Sequence, residues 1–495
     1  MAIFGCKFSV SQTGCLFSGG ISVIYNSFYQ MKKIPGAIEV LILLTLLTLI
    51  LVPRPIDGLL DLRSAQRFEV SGERPEAIHA YASAAERLFW IPSLWEKAGD
   101  LALQEGDPGL AIDYFSKAVE RQALSKSGWL HLGTAHQELG DLTQAMAAWQ
   151  EALPLAQASS SLAAAERELG NLQAAIEYWR ATLAVEPENP SAHYTLGLLL
   201  AASSPEGALP ELMQAAQIDP GLDNSVQNLR TALNSALLSE DRAYQFLVSG
   251  RGLAALGEWD LAARAFQNAI DVNKGYAEAW AWLAEALQQQ GMDGTREIHR
   301  AITLGARSAM VQGLYGMYLQ RNGMPLDARA AFLVAARLEP ADPGWQMALG
   351  SASEQAGDLV AAYEYYTNAV LLAPEDTSTW RALVTFCVYN EVDLEATGLR
   401  AALKLIELAP DDWRSYDLAG TAEFLLEDYP AAEVHLKKAF SLAPTEAAPA
   451  LHLGLVYMQT GNRAQALSYL TLAQNLEPES AFGLQAGRLL ERYFP

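Results

Sequence analysis

The sequence repeats one pattern about every 34 residues from Asp57 to its C-terminal end. The clearest copy, residues 447–478, is marked by Leu453, Gly454 and Tyr457 in a first helix, Gly461 in a turn, Ala466, Leu470 and Ala473 in a second helix, and Pro478 as a stop. A period of this length is typical of two-helix repeats. One helix pair cannot cover its own apolar face, so neighbouring pairs must stack. The period therefore predicts an all-helical array.

Side-chain size within the period indicates how the two helices of a repeat pack. The eighth position is small in most copies: Gly133, Gly197, Gly250, Gly316, Gly350, Gly420 and Gly454. The twenty-fourth position often carries a large aromatic ring: Phe115, Trp149, Trp179, Phe266, Phe332 and Tyr366. A missing side chain on the first helix lets the backbone approach a ring that buries a large apolar area on the second. We therefore expect glycine and ring to face each other.

The pattern resembles the tetratricopeptide repeat. One copy carries five of that family's signature residues, namely Trp129, Leu132, Gly133, Ala145 and Trp149. The resemblance covers most of the chain and implies an all-α fold, a right-handed α-solenoid of about twelve helix pairs. It also implies a scaffold that binds protein or peptide partners and has no catalytic activity. The N-terminal region resembles that of a membrane-anchored bacterial member of the family.

Residues 34–52 form an apolar run in which Glu39 is the only charge. Nineteen residues of helix span about 28 Å, close to the hydrocarbon thickness of a bilayer. We interpret the run as a transmembrane helix. The competing reading is a cleaved secretory signal, but no Ala-x-Ala-like site ends the run, which closes instead on Pro53, Arg54 and Pro55. Residues 1–33 would be a short tail, and Met31 followed by two lysines resembles a translation start, so the first 30 residues could be an over-long gene prediction.

The orientation of this anchor rests on the charges beside it. Basic residues on the two sides are equal in number, with Lys7, Lys32 and Lys33 before the run and Arg54, Arg63 and Arg67 after it. The Lys32–Lys33 pair at the membrane edge and the resemblance to a bacterial signal-anchor favour a cytoplasmic N-terminus. We therefore expect a single-pass protein of the bacterial cell membrane whose repeats lie on the non-cytoplasmic side.

The repeats divide into two predicted blocks. Residues 57–220 hold about five repeats, and residues 243–479 hold about seven. Residues 221–242 keep helical spacing but lack a partner helix, so they are predicted to be a connector, packed or acting as a hinge. Residues 480–495 are predicted to be a capping helix that covers the last apolar face.

Charge and motifs exclude several classes of function. Beyond residue 56 the chain carries 56 acidic and 30 basic side chains, a surface that repels nucleic acid. No nucleophile elbow, zinc-protease helix or phosphate-binding loop occurs, so no enzymatic activity is expected. The seven histidines form no metal pair at helical spacing, and Cys387 occupies a core repeat position. We predict no catalytic residue, no cofactor and no metal site.

Binding is the remaining role. In the tetratricopeptide family the first helices line a concave groove, and the resemblance places seven apolar residues of the second block in it: Met310, Met317, Met347, Phe424, Leu451, Leu455 and Met458. Methionine side chains adapt to varied apolar partners, so this stripe could accept a helix or an extended peptide. The alternative is that these residues pack on the capping helix or across the superhelix.

Two functional hypotheses follow. The first is a membrane-anchored scaffold that recruits protein partners, with an oligomeric state that the sequence does not specify. The second is a groove for exported polysaccharide in the cell envelope, in which exposed tryptophans would stack on sugars. The exposure of five tryptophans distinguishes them: Trp90, Trp259, Trp282, Trp345 and Trp413.

Overall fold

The structure, a computed structural model, describes residues 53–494 together with Thr45. The predicted tail at 1–33 and, apart from Thr45, the predicted span at 34–52 lie outside the described residues. From residue 53 to residue 494 the chain forms 26 α-helices and no strand, which confirms the all-helical fold class. None of these helices is both long enough and apolar enough to cross a bilayer.

Residues 53–494 divide into two compact units, residues 53–192 and residues 193–494. The predicted boundary between the repeat blocks, near residue 220, lies inside the second unit. The helices before the division are α1 Pro53–Ser71, α2 Arg74–Arg87, α3 Ser93–Gln104, α4 Pro108–Glu120, α5 Lys126–Glu138, α6 Leu142–Ala152, α7 Ala156–Glu168 and α8 Leu172–Val185. The division falls in the first turn of α9, Pro190–Ser203.

The second unit continues with α10 Pro205–Ile218, α11 Asp223–Leu237, α12 Arg242–Ala255, α13 Trp259–Val272, α14 Ala277–Gln289, α15 Thr295–Gly305, α16 Ala309–Arg321, α17 Pro325–Leu338, α18 Pro343–Gln355, α19 Leu359–Leu372, α20 Thr377–Asn390, α21 Leu399–Leu408, α22 Trp413–Leu425, α23 Tyr429–Leu442, α24 Ala447–Gln459, α25 Arg463–Leu476 and α26 Ala481–Tyr493. A 3₁₀ turn, Pro220–Leu222, precedes α11, and a π-helical turn, Leu394–Gly398, precedes α21.

The helix ends follow from local chemistry. Aspartate or serine side chains accept backbone N–H groups at many helix starts, as Asp107, Asp358 and Asp412 do. The turn inside most repeats carries a glycine at positive φ, such as Gly140 at 79° and Gly461 at 76°. Only glycine adopts that conformation without steric cost, so these turns are specified by the sequence.

Glycine and aromatic ring face each other inside the repeats, as the period predicts. A Cβ atom on Gly133 would lie 2.3 Å from Cδ1 of Trp149, and one on Gly316 would lie 2.5 Å from Cε1 of Phe332. Both rings are fully buried. In these repeats a ring is therefore set against bare backbone, a fit that any side chain on the glycine would disturb, whereas leucine takes the place of the ring opposite Gly420 and Gly454.

The second unit departs from strict repetition at two helices. Helix α11 has no partner in its own repeat, but Val226, Leu229 and Leu233 on one of its faces are fully buried. That face packs on α12, where a Cβ on Gly252 would lie 2.7 Å from Leu229. Helix α26 closes the unit, and Ala486 joins the same buried cluster as Leu451 of α24.

Candidate partner-binding surface

The candidate surface begins on α16, a first helix of the second unit. Met310 and Met317 are seven residues, about two turns, apart and therefore share one face of this helix. Met317 is 38% exposed, whereas Met310 is half-buried against the core cluster beneath α16. Met347, one repeat further along on α18, is also half-buried. Of these three methionines, Met317 offers the most side chain to a partner.

The C-terminal candidates lie in a different environment. Leu451 is 1% exposed and shares a cluster with Leu470 and Ala486. Leu455 and Met458 are half-buried against that cluster, together with Phe482 and Leu489 of α26. Phe424 packs on Tyr429 with ring centroids 5.8 Å apart. In the described chain the apolar face of α26 packs over Leu451. Leu451 is therefore inaccessible to a partner.

An ion pair between an exposed arginine and a buried carboxylate lies one turn from Met317. Arg321 of α16 donates from Nη2 to Oε1 of Glu285 at 2.5 Å and from Nη1 to Oε2 at 2.6 Å. The same Nη1 also donates to Oε1 of Gln288 at 3.0 Å. Glu285 belongs to α14 and is buried. A two-pronged pair of this kind fixes both side chains and joins neighbouring first helices.

Similar polar bonds continue from repeat to repeat. Gln320 of α16 donates to the hydroxyl of Ser351 in α18 at 2.9 Å, and Asn390 of α20 donates to Glu354 of α18 at 2.6 Å. Arg381 of α20 donates to Asp412, the N-cap of α22, at 2.8 Å. These contacts form a polar ladder along the first helices. The shared repeat pattern does not reveal this ladder, although its partners lie 31 to 36 residues apart, close to one period.

The last rung of the ladder is a buried histidine–carboxylate pair. Nδ1 of His452 in α24 lies 2.8 Å from Oδ1 of Asp417 in α22, and the His452 ring meets Phe482 of α26 edge-on, with centroids 6.0 Å apart. Burial acts to lower the pKa of His452, but the charge of Asp417 and its hydrogen bond outweigh this effect and raise the pKa above its usual value. The pair therefore favours the protonated imidazole.

Cys387, His131 and His435 are buried or paired with carboxylates. Cys387 is fully buried, and burial raises the pKa of its thiol to about 12, which suppresses the reactive thiolate. Among residues 53–494, His, Cys, Asp and Glu side chains nowhere gather in threes that could hold a metal ion. His131 contacts Asp100 and His435 contacts Glu423, so these histidines join helices.

The five diagnostic tryptophans differ in exposure. Trp90 is exposed, whereas Trp259, Trp282, Trp345 and Trp413 are only partly exposed. Trp282 stacks on Phe266 at 5.8 Å, and Trp345 lies against the backbone of α16, where a Cβ on Gly313 would come within 2.2 Å of the ring. Along the first helices of the second unit, these rings serve mainly as packing residues.

Comparison with known families decides the identity of the repeats. The tetratricopeptide repeat model matches residues 62–124, 96–161, 160–223, 247–292 and 316–377, and a second tetratricopeptide model matches residues 450–480. The chain belongs to the tetratricopeptide repeat family. The tetratricopeptide fold is typically a non-catalytic scaffold that binds protein or peptide partners. No curated protein matches the sequence.

Several solved structures are similar to this tetratricopeptide protein at low identity. Yeast Tom70 is 16% identical with a TM-score of 0.39, over 88% of this chain and 95% of Tom70. A chain of the APC/C hetero-tetramer Cut9–Hcn1 is 16% identical with a TM-score of 0.39, over 87% of this chain and 95% of that one. YrrB, described as having an unusual peptide-binding site, is 19% identical with a TM-score of 0.31, over 39% of this chain and 98% of YrrB. The partners of these proteins are not thereby partners of this one.

Proposed function

We propose that this tetratricopeptide protein is a membrane-anchored scaffold that binds a protein or peptide segment along the first helices of its second unit. The observation that carries the proposal is Met317, a methionine exposed on α16 between two rungs of the polar ladder. Met310 and Met347 would extend the apolar contact to either side. No catalytic residue, cofactor or nucleic acid takes part.

The polar ladder makes the proposed surface suitable for binding. Bonds between successive first helices hold the backbone under Met317 in place before a partner arrives. Preorganisation of this kind reduces the conformational entropy that binding would otherwise lose. The methionine itself stays adaptable, so the surface could accept apolar side chains of different shapes. The polysaccharide alternative has less support, because four of the five diagnostic tryptophans are partly covered by packing.

Met317→Glu is expected to weaken partner binding by about 10-fold to 100-fold, the loss of about 1–3 kcal/mol that follows from spoiling a central contact. The new carboxylate would place charge where an apolar side chain should dock, one turn from the ion pair of Arg321 with Glu285. Peptides selected from a random library on the full-length chain in nanodiscs would be titrated against wild type and variant.

Met292→Glu is the matched control for that experiment. Met292 is 47% exposed but lies in the turn between α14 and α15, away from the proposed face. Its replacement should leave peptide affinity unchanged. Equal loss in both variants, or a library that yields no binding peptide at all, would contradict the proposed surface.

We further propose that residues 34–52 cross the bacterial cell membrane once and hold the repeats on the non-cytoplasmic side. The apolar run and the Lys32–Lys33 pair before it support this topology. Deletion of residues 34–52 should release the chain from membranes into the supernatant of an alkaline carbonate wash. In intact spheroplasts, added protease should degrade the repeats of the undeleted chain, and repeats that stay protected would reverse the orientation.

A further inference from the structure

Phe89 and Trp90 form an unusual exposed pair in the turn between α2 and α3. They are 69% and 51% exposed, and their rings meet edge-on with centroids 5.1 Å apart. Every other Phe and Trp between residues 53 and 494 is at least partly covered. Two large rings side by side in water suggest that this turn contacts something apolar.

The start of α1 lies beside this turn. A Cβ on Gly58 would lie 2.8 Å from Cγ of Leu88, and Arg87 donates a hydrogen bond to Asp61. Helices α1 and α2 are therefore antiparallel neighbours, with the beginning of one next to the end of the other. Phe89 and Trp90 directly follow Leu88, so the exposed aromatic pair lies beside the start of α1.

The first two turns of α1 add apolar surface of their own. Ile56, Leu59 and Leu60 are each about half exposed, while Gly58 between them is buried against Leu88. With 3.6 residues per turn, these three side chains point away from the face that packs on α2. Arg63 and Arg67 continue the same exposed face one and two turns later.

The chain before α1 indicates what covers this surface. The apolar run ends at Val52, and α1 begins at the next residue, Pro53. Leu60 is seven residues along α1, or about 10 Å of helix from that point. The headgroup layer beyond the hydrocarbon core is of similar depth, about 5–8 Å. If residues 34–52 span the bilayer, the start of α1 and the turn beside it lie at the lipid–water interface.

We propose that Ile56, Leu59, Leu60, Phe89 and Trp90 form a membrane-contact patch that lies in the interfacial layer of the bilayer. This inference rests on the proposed anchor and extends it from a single tether to a docked surface. Tryptophan suits this layer because its ring is apolar while its N–H can hydrogen-bond to water or headgroups. Phenylalanine and leucine add apolar area that inserts beside it. The patch would fix the orientation of α1 and α2 against the bilayer.

A polarity-sensitive fluorophore tests the patch directly. The full-length chain would carry Cys6→Ser and Cys15→Ser, with one NBD-labelled cysteine introduced by Phe89→Cys, Val70→Cys or Val360→Cys, in phosphatidylcholine–phosphatidylglycerol vesicles. Val70 is 90% exposed at the far end of α1, and Val360 is 73% exposed on α19. Cys387 is buried and should not label in the folded chain.

At position 89 we expect a blue-shifted NBD emission that is quenched by lipids carrying a doxyl group near the headgroup. The probes at positions 70 and 360 should show aqueous emission without quenching. Trp90→Ser in the Phe89→Cys background should reduce the quenching, because half of the aromatic pair is then missing.

Vesicle flotation after an alkaline wash distinguishes failure of the proposed patch from failure of the proposed anchor. If the chain floats with the vesicles but the probe at 89 behaves like the probe at 70, the patch is wrong and the anchor stands. If the chain does not float, the anchor is wrong, and the patch falls with it.

Discussion

Phe332→Ala is expected to lower the free energy of unfolding of the second unit by about 3–5 kcal/mol, the usual cost of emptying a buried phenylalanine site. The ring is buried between α16 and α17 and lies against the bare backbone at Gly316. Because a glycine lines one side of the site, the surrounding side chains have little means of closing the cavity. The loss should therefore sit towards the upper end of that range.

Hydrogen exchange of α16 and α17 in the full-length chain would measure this loss locally, which matters because repeat arrays need not unfold in one step. Val360→Ala is the control, since an exposed valine on α19 should change stability by no more than about 0.5 kcal/mol. Exchange in Phe332→Ala no faster than in the control would mean that the ring does not hold the repeat together.

A double substitution tests the specific contact. Gly316→Ala alone should destabilise the repeat, because the added Cβ would lie 2.5 Å from the ring. In the Phe332→Ala background the same change should cost much less, since the ring is no longer there to clash. Additive losses would show that glycine and ring act independently.

The sequence predicts these contacts because the period places each residue on a known face. Gly316 and Phe332 are sixteen residues apart, and that separation recurs as Gly133 with Trp149 and as Gly250 with Phe266. Because the same pair recurs in several repeats, the sequence alone predicts that glycine and ring pack against each other. The turn glycines are readable for a similar reason, since positive φ leaves few alternatives.

The candidate site is only partly readable from sequence. The period places Leu451 on the groove face, but its accessibility depends on how α26 packs, and α26 lies outside the repeat pattern. The π-helical turn at residues 394–398, before α21, is likewise not revealed by the period alone. The sequence singles out Trp90 as diagnostic, but only the contact between Gly58 and Leu88 places its turn beside α1.

The polar ladder was missed because its members look unremarkable one at a time. In the sequence, Glu285 looks like any other charged residue of a first helix. Only the structure shows that Arg321 of the next repeat pairs with it. A repeat pattern describes what the copies share, whereas each rung joins residues that differ from copy to copy. The useful signal is a pair of complementary polar residues one period apart.

His452→Leu is expected to destabilise the last repeat and α26 by about 3–5 kcal/mol, because it leaves the buried carboxylate of Asp417 without its partner. The contact of the imidazole with Phe482 of α26 is lost as well. Hydrogen exchange of α24 and α26 in the full-length chain would show the effect where it arises. The double variant Asp417→Leu with His452→Leu should regain most of the loss, since no unpaired charge remains.

The same pair should make this end of the chain more stable in mild acid. The pKa of His452 is raised in the folded state, so its contribution is fully present below the unfolded pKa of about 6.5 and is lost as pH rises through the folded value. Protection of α24 and α26, corrected for the intrinsic exchange rate, should therefore be greater at pH 6 than at pH 8. The double variant should lose this difference. Greater protection of α24 and α26 at pH 8 in the wild type would mean that burial, which favours neutral imidazole, outweighs the charge of Asp417.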